Sequence, residues 1–294
     1  MAPLITLITG CSSGIGLSTA IKLAQDPNKS YLVYATMRNL AKKDALEKEA
    51  DNALNDILFV KELDINKEDQ VVSTVQEIVE KHGKLDVLIN NAAFGYFGLF
   101  EEMSMDDMRS MLETNMIGTY RLTQEVIPIM KKQMSGRIVN ISSVGGVCGS
   151  PYSAVYCATK FAMEGLTEAL YPELKCFKVW ISSICPGAVT TNFVKNLSSN
   201  KASGEFAARA NDPESPSGKL MSSFLEMVPS HMKNTAQQAP DVADVVVECL
   251  REEQPKIRYG TSDYSRGRMS QKYADGVGGE RAEEWYQLMS KLST

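Results

Sequence analysis

Short apolar runs and amphipathic stretches alternate along the first two thirds of the chain. The apolar runs are typical of buried strands, and they cover Leu4–Thr9, Tyr31–Thr36, Ile57–Leu63, Leu85–Ile89, Gly136–Ser142 and Val179–Cys185. The stretches between them have apolar residues at helical spacing and predict helices at Ile15–Gln25, Ala41–Ala53, Lys67–His82, Met105–Met134 and Tyr152–Cys176. This alternation predicts an α/β fold in which helices flank a doubly wound parallel sheet.

The pattern changes near residue 190. Asn196–Lys219 is rich in Ser, Asn, Gly and Pro and predicts a loop, whereas Met221–Met232 is apolar. The remaining chain predicts a helix at Asp241–Leu250, a last strand at Ile257–Tyr259 and a polar helical tail at Ser262–Leu292. Because no repeat or linker interrupts the sequence, we expect a single domain over residues 1–294.

Charge and composition exclude several classes of protein. The 294 residues include 31 Lys and Arg against 36 Asp and Glu, a net charge of −5 without long basic runs, so nucleic acid is a poor partner. The six cysteines show no C-x-x-C spacing, which argues against a metal site and favours reduced thiols in the cytoplasm. We find no signal peptide and no transmembrane segment, which leaves only a peripheral membrane contact open.

A glycine-rich turn connects the first strand to the first helix. It reads Thr9-Gly10-Cys11-Ser12-Ser13-Gly14-Ile15-Gly16. Glycines let the backbone approach a pyrophosphate closely, and the helix start supplies free N–H groups with a positive dipole end. In this strand–turn–helix context the turn predicts a Rossmann-type dinucleotide site, with binding through Gly10, Ser12, Ser13, Gly14, Ile15 and Gly16.

The end of the second strand bears on the choice of nicotinamide cofactor. Sites for NAD usually have an acidic residue there, which binds the ribose 2′-hydroxyl. Here the sequence is Tyr34-Ala35-Thr36-Met37-Arg38, without a carboxylate. We therefore expect NADP(H), with Arg38 pairing with the 2′-phosphate. The alternative is that Arg38 is a solvated surface residue.

A second motif lies in the predicted helix Tyr152–Cys176. Tyr156 and Lys160 are four residues apart and share one helix face. A neighbouring ammonium, together with a positive nicotinamide ring, is expected to lower the pKa of the phenol and make it a general acid or base. Ser143 follows the preceding strand and could bind the substrate oxygen. The scarcity of histidines, only His82 and His231, suits such chemistry.

Together these residues identify the chain as similar to the short-chain dehydrogenase/reductase superfamily. The matching positions are Thr9, Gly10, Gly14, Gly16, Asn90, Asn91, Ala92, Asn115, Ser143, Tyr156, Lys160, Pro186 and Gly187. Within the superfamily, stretches such as Ser143-Val144-Gly145-Gly146 and Val155-Tyr156-Cys157-Ala158 resemble 17β-hydroxysteroid and photoreceptor retinol dehydrogenases. One departure is Ala93, where the family usually has glycine.

The resemblance implies roles for the catalytic residues. Tyr156 would donate or accept the proton, and Lys160 would lower its pKa and hold the nicotinamide ribose. Ser143 would orient the substrate oxygen, and Asn115 would join a proton relay through water. The implied division of the chain is a cofactor-binding and catalytic core at 3–191, a substrate lid at 192–239, and C-terminal helices and tail at 240–294.

The resemblance also implies cofactor contacts outside the glycine turn. Asp64 would contact the adenine with Ile65 beside it, and Asn91 and Ala92 would line the ribose. The residues expected to cover the nicotinamide are Pro186, Gly187, Val189 and Thr191.

The substrate residues follow from apolar side chains near the catalytic motif. Val147, Phe193 and Phe224 could wall an apolar pocket beside Ser143 and Tyr156, although such residues could equally pack a core. The steroid enzymes hold the distal hydroxyl with a lid histidine, where this chain has Leu220 or Met221. Retinoid and steroid substrates therefore both stay open.

The sequence thus predicts an NADP(H)-dependent oxidoreductase that interconverts an alcohol and a ketone or aldehyde on a bulky apolar substrate, a retinoid or a 17β-hydroxysteroid. The alternative is a catalytically silent NADP(H)-binding regulatory or scaffold protein, which need not retain all four of Asn115, Ser143, Tyr156 and Lys160. A homodimer through the Tyr152–Cys176 helix is expected from the resemblance.

Overall fold

A computed structural model describes residues 2–96, 98–191 and 215–276, together with positions 283, 284, 286–288 and 291 of the tail. Its centre is a seven-stranded sheet of β1 Leu4–Ile8, β2 Tyr31–Met37, β3 Leu58–Glu62, β4 Val87–Asn90, β5 Gly136–Ile141, β6 Val179–Cys185 and β9 Arg258–Gly260, and two short strands, β7 Val189–Thr190 and β8 Gln237–Gln238, lie outside it. The strand order is β3-β2-β1-β4-β5-β6-β9, and every pair of neighbouring strands is parallel. The predicted doubly wound parallel sheet is confirmed.

Helices cover both faces of this sheet. They are α1 Gly14–Ala24, α2 Asp44–Ala50, α3 Glu68–His82, α4 Met105–Leu112, α5 Thr119–Gln133, α6 Ala154–Lys175, α7 Pro216–Thr235, α8 Ala239–Arg251 and α9 Asp263–Ala274. Residues of α1 and α8 pack with one face of the central strands, and residues of α3 and α5 pack with the other. Within the described residues, no helix has the length and apolar character needed to cross a bilayer.

Three predicted elements differ from the structure. The helix expected at Ala41–Ala53 is only α2, flanked by 3₁₀ turns, because Asp51 adopts a positive φ that ends it. The helix expected at Met105–Met134 contains a π-helical turn at Glu113–Gly118. The loop expected at Asn196–Lys219 ends earlier, since Pro216 begins α7, a position that suits proline; residues 192–214 lie outside the described part.

A short two-stranded ribbon lies beside the main sheet. Strands β7 (Val189–Thr190) and β8 (Gln237–Gln238) pair in parallel, with Val189 opposite Gln237. The Gln237 amide also donates to the Ala188 carbonyl at 3.0 Å. The ribbon therefore brings together two points of the chain on either side of residues 191–236.

Buried amide and hydroxyl groups connect the sheet to its helices. Asn90 Nδ2 donates to Asn140 Oδ1 at 2.9 Å, and Asn140 Nδ2 donates to Thr167 Oγ1 at 2.9 Å. Ser183 on β6 donates to the same threonine at 3.1 Å. All four residues are buried. This network fixes the register of β4, β5 and β6 against α6, the helix that contains Tyr156 and Lys160.

Candidate active site

The predicted site residues gather at the edge of the sheet where the parallel strands end. The loops after β5 and β6 are joined there, because the Ser142 amide donates to the Ile184 carbonyl and the Val144 amide donates to the Pro186 carbonyl, both at 2.8 Å. In open parallel sheets this carboxyl edge is where ligands bind.

Ser143 and Tyr156 lie close together. Ser143 accepts a hydrogen bond at Oγ from the Gly145 amide at 3.0 Å. Ser143 Oγ and Tyr156 Cε1 lie 3.3 and 3.7 Å from the place where a Cβ on Gly145 would be. Burial raises the pKa of Tyr156 to about 12, and the Ser143 hydroxyl offsets only part of that effect. The expectation of a lowered pKa is therefore wrong for the protein alone, because desolvation outweighs the neighbouring groups.

Lys160 lies one helical turn further along α6 and is buried. Its Nζ donates to the Ile141 carbonyl at 2.8 Å and lies 5.8 Å from the centroid of the Tyr156 ring. Burial lowers the pKa of Lys160 to about 8. An ammonium group has three N–H donors, and among the described residues Ile141 is the one acceptor of this group. Two donors are thus left for a ligand.

Asn115 is fully buried in the π-helical turn that the sequence did not predict. Its Oδ1 accepts from the Phe94 amide at 3.0 Å, and its Nδ2 donates to the Phe94 carbonyl at 2.7 Å. The same Nδ2 donates to Thr159 Oγ1 at 3.2 Å. In the structure the side chain of Asn115 therefore holds the loop after β4 against α6. Single π turns occur often at functional sites.

The glycine turn fits a pyrophosphate. Gly10 and Gly14 have positive φ values of 73° and 62°, and a Cβ on Gly16 would lie 2.5 Å from the Gly10 carbonyl oxygen. Ser13 precedes α1 without a side-chain cap, and the first turn of the helix, which contains Ile15, has no acidic residue. The N–H groups of that turn and its positive dipole end are therefore available to an anion, as they are in dinucleotide sites.

Thr9 and Asn91 fix the shape of this turn. Asn91 Nδ2 donates to the carbonyls of Thr9 and Gly10 at 2.8 and 3.1 Å. Thr9 Oγ1 in turn accepts from the amides of Asn91 and Ala92, both at 3.0 Å. In the structure Asn91 thus supports the glycine turn. Ala93 does not adopt a positive φ, so alanine fits where the family usually has glycine.

The other residues expected to contact the cofactor differ in how exposed they are. Arg38 is exposed just beyond β2 and forms no ion pair with any described residue. Asp64 is half-buried and accepts from the Asn66 amide at 3.1 Å. Ile65 is buried, with Cγ1 2.9 Å from where a Cβ on Gly118 would lie, so its side chain packs against the start of α5.

The loop after β6 reaches the glycine turn. Pro186 and Val189 are buried, and Gly187 lies against the ring of Tyr264. Thr191 Cγ2 lies 3.2 Å from the place where a Cβ on Gly14 would be. Thus the structure brings the predicted nicotinamide loop and the predicted pyrophosphate turn together.

The predicted substrate residues do not form one open wall. Val147 packs in a small buried cluster with Cys148 and Cys185, which agrees with the core alternative. Phe224 on α7 is buried, and its ring centroid lies 4.9 Å from that of Tyr152. Phe193 lies outside the described residues.

Sequence reasoning missed Tyr152 at this site and assigned no role to Thr9. Thr9 holds the glycine turn, a role that only its contacts reveal. Tyr152 adopts a positive φ of 57° and contacts Phe224 on α7, and its carbonyl accepts from the Gly98 amide at 2.7 Å. Its sequence gives no signal of this role, because Tyr152 lies in a turn just before α6 and outside the helical spacing of Tyr156.

Comparisons with known proteins agree with this geometry. The family model described as short chain dehydrogenase matches residues 4–202. The chain is 40% identical over 261 residues to retinol dehydrogenase 8 of Bos taurus, covering 89% of this chain and 82% of that protein. It is 37% identical over 266 residues to 17-beta-hydroxysteroid dehydrogenase type 1 of Homo sapiens, covering 90% and 79%.

A solved structure is similar over most of the chain as well. ElxO with NADP bound has a TM-score of 0.72 and 28% sequence identity, over 90% of this chain and 100% of that one. The family match covers more than half of the sequence, and both curated relatives are matched over most of their length. The chain therefore belongs to the short-chain dehydrogenase family of nicotinamide-dependent oxidoreductases.

Proposed function

We propose that this protein is an NADP(H)-dependent oxidoreductase that interconverts an alcohol and a ketone or aldehyde on a bulky apolar substrate. The observation that carries the proposal is the position of Ser143 beside Tyr156 at the carboxyl edge of the sheet, with Lys160 buried one turn away. A catalytically silent protein on the same fold, used for regulation or as a scaffold, has no such observation in its favour.

The cofactor site has a donor for each charged part of a dinucleotide. Residues Gly10, Ser12, Ser13, Gly14, Ile15 and Gly16 would hold the pyrophosphate at the uncapped start of α1. Lys160 would bind the nicotinamide ribose with the donors that Ile141 leaves free. Arg38 would pair with the 2′-phosphate, and no acidic residue follows β2 to favour NAD instead.

We propose the remaining cofactor contacts from the positions of these residues in the structure. Asp64 and the backbone of Ile65 would lie near the adenine, Asn91 and Ala92 near a ribose, and the residues after β6 over the nicotinamide. That last group is Pro186, Gly187, Val189 and Thr191. A bound nicotinamide nucleotide supplies or accepts the hydride.

Side chains of the protein would carry out the proton transfer. With its pKa raised to about 12, Tyr156 is protonated at neutral pH and suited to donate to a carbonyl oxygen. Ser143 would hold that oxygen with a hydrogen bond. Lys160 adds positive charge beside the phenol, which favours the phenolate that forms after donation. Asn115 would serve this step by keeping the loop after β4 in place and by joining a water relay.

A retinoid or a 17β-hydroxysteroid is the proposed substrate class, because the two curated relatives are named for such substrates. Tyr152 and Phe224 supply apolar surface between α6 and α7, and the chain from 192 to 239 would act as the lid. No histidine occupies positions 220 and 221, which supports a retinoid, a ligand without a distal hydroxyl on its hydrocarbon part.

We also propose a homodimer and a cytoplasmic location. Phe161 on α6 is 42% exposed, which gives this helix an apolar surface for a second copy. All six cysteines are free thiols, in keeping with a reducing compartment.

The test is NADPH oxidation with retinal, estrone and a small ketone. We expect turnover with at least one bulky carbonyl, and we expect Tyr156→Phe to lose nearly all of it while binding NADPH with unchanged Kd. Turnover of Tyr156→Phe at the wild-type rate would refute the assignment of Tyr156. Binding of NADPH without turnover of any hydrophobic carbonyl or alcohol would favour the silent protein.

A further inference from the structure

A buried ion pair lies one helical turn beyond Lys160. Arg258 on β9 donates from Nε to Glu164 Oε2 at 2.6 Å. The two side chains are only 10% and 6% exposed. Removing two charges from water costs several kcal/mol per ion, so a buried pair is weak evidence of stabilisation by itself. We therefore look for the function of this pair in its effect on the groups that surround it.

Each end of the pair has further partners. The Cys185 thiol on β6 donates to Glu164 Oε1 at 3.4 Å. Arg258 Nη2 donates to Glu168 Oε1 at 2.7 Å, and its guanidinium carbon lies 5.4 Å from the centroid of the Tyr273 ring on α9. Glu168 is 55% exposed, so its charge is screened by solvent in a way that the charge of Glu164 is not.

Glu164 faces the same side of α6 as Lys160, because the two residues are four apart. Lys160 is otherwise in an unfavourable place for a cation, since burial lowers its pKa to about 8 while the charge of Glu164 raises it. The titratable groups around the ammonium are Tyr156 and Glu164 of α6 and Cys185 of β6. On the other side, Glu164 contacts Arg258, which in turn contacts Glu168 and Tyr273.

We propose that Glu164 is a positioning residue whose negative charge, partly offset by that of Arg258, keeps the ammonium charge on Lys160, so that strand β9 acts on the proposed cofactor site. This inference rests on the role of Lys160 in the proposed function. The strand of Arg258 is a three-residue edge strand, paired with β6 through Ser183. Through one guanidinium, the C-terminal part of the chain acts on a group that would touch the cofactor.

The test measures the titration of Lys160 directly. The protein is labelled with carbon-13 at lysine Cε, and the Lys160 signal is assigned by its absence in Lys160→Met. In Glu164→Gln the side chain keeps its shape and an acceptor for Arg258 but loses its charge. We expect the Lys160 titration midpoint to fall from about 8 by about one pH unit.

Two further variants separate this effect from a structural one. Glu168→Gln removes the other carboxylate partner of Arg258 from the same helix, and we expect a midpoint within about 0.3 units of wild type, since that carboxylate is exposed. Arg258→Gln removes positive charge behind Glu164, and we expect the midpoint to move upwards. A purely structural pair would not move the midpoint in opposite directions in Glu164→Gln and Arg258→Gln.

The result is independent of turnover, because the titration needs neither cofactor nor substrate. A protein that reduces no carbonyl would therefore refute the proposed function and leave the titration intact. An unchanged midpoint in Glu164→Gln, an equal fall in Glu168→Gln, or a downward shift in Arg258→Gln would each overturn the role of Glu164. Should Glu164→Gln fail to fold, the double variant Glu164→Leu with Arg258→Met removes both charges of the pair, and a Lys160 midpoint that does not fall would overturn the proposal.

Discussion

The Nζ of Lys160 donates a hydrogen bond to the carbonyl oxygen of Ile141, the last residue of β5, at 2.8 Å. The contact fixes the ammonium at the end of β5, where the side chain is almost fully buried. Holding a cation there costs folding free energy, and the lowered pKa of Lys160, about 8, reflects that cost.

The first prediction concerns this cost. Lys160 has a lowered pKa in the folded state, so its stabilising contribution is present above pH 10.5, the ordinary lysine value, and is lost as the pH falls through about 8. At pH 7 we expect Lys160→Met to raise the free energy of unfolding by about 2 kcal/mol, after subtracting the lost hydrogen bond. Urea unfolding at pH 7 and pH 10.5 measures it.

The increase in the free energy of unfolding caused by Lys160→Met should become smaller as the pH rises. The variant should also bind NADPH at least about tenfold more weakly than wild type. The control is Lys132→Met, at an exposed position on α5, which should change neither quantity. A variant that is less stable than wild type at both pH values would contradict the prediction.

The second prediction compares two glycines. A Cβ on Gly16 would lie 2.4 Å from Asn91 Nδ2 and 2.5 Å from the Gly10 carbonyl oxygen, whereas a Cβ on Gly165 meets nothing within 4 Å. Gly16→Ala should displace the glycine turn and weaken NADPH binding by more than about tenfold. Gly165→Ala, within α6, should instead stabilise the protein by about 0.5–1 kcal/mol, because alanine favours the helix.

Fluorescence titration with NADPH and thermal unfolding measure the two glycine variants. If Gly16→Ala and Gly165→Ala changed the Kd for NADPH equally, the tight contacts of Gly16 would have no effect on cofactor binding.

The third prediction concerns cofactor choice. Arg38→Ala should raise the Kd for NADPH at least about tenfold, a loss of about 1.4 kcal/mol, and leave the Kd for NADH unchanged, because only the 2′-phosphate pairs with the guanidinium. Lys29→Ala removes an exposed cation before the other end of β2 and should change neither Kd. If wild-type protein binds NADH more tightly than NADPH, the assignment of Arg38 is wrong.

The fourth prediction concerns the buried amide network. Asn140→Leu would leave Asn90 and Thr167 without one partner each in the core, so we expect a loss of about 2–3 kcal/mol in the free energy of unfolding. Asn52→Leu, at an exposed position, should stay within about 0.5 kcal/mol. Denaturant unfolding checks both, and a neutral Asn140→Leu would mean that the network does not stabilise the sheet.

Local patterns in the sequence were enough to predict the parallel sheet, the glycine turn and the Tyr156–Lys160 pair. The turn at Gly10–Gly16 and the pair Tyr156–Lys160 each depend on neighbours within one or two turns of chain, so their spacing reveals them. The π-helical turn around Asn115 was not predictable, because a wider turn has the same amphipathic pattern as an ordinary helix.

Contacts between distant residues could not be predicted in the same way. Arg258 and Glu164 are 94 positions apart, and nothing in either local sequence indicates that they pair. The raised pKa of Tyr156 in the protein without cofactor could not be predicted either, because it depends on how much of the phenol is buried and not only on its charged neighbour.

The parallel ribbon of β7 and β8 has a consequence for how this protein can vary. It holds Val189 beside Gln237, so any chain that leaves at residue 190 returns to the same point at residue 237, whatever its length. Closing a longer loop costs only about 0.6 kcal/mol for each doubling of its length. Under the proposed function, insertions and deletions between these two strands would change what the protein accepts as substrate, while the edge of the sheet beside the proposed cofactor residues would keep its geometry.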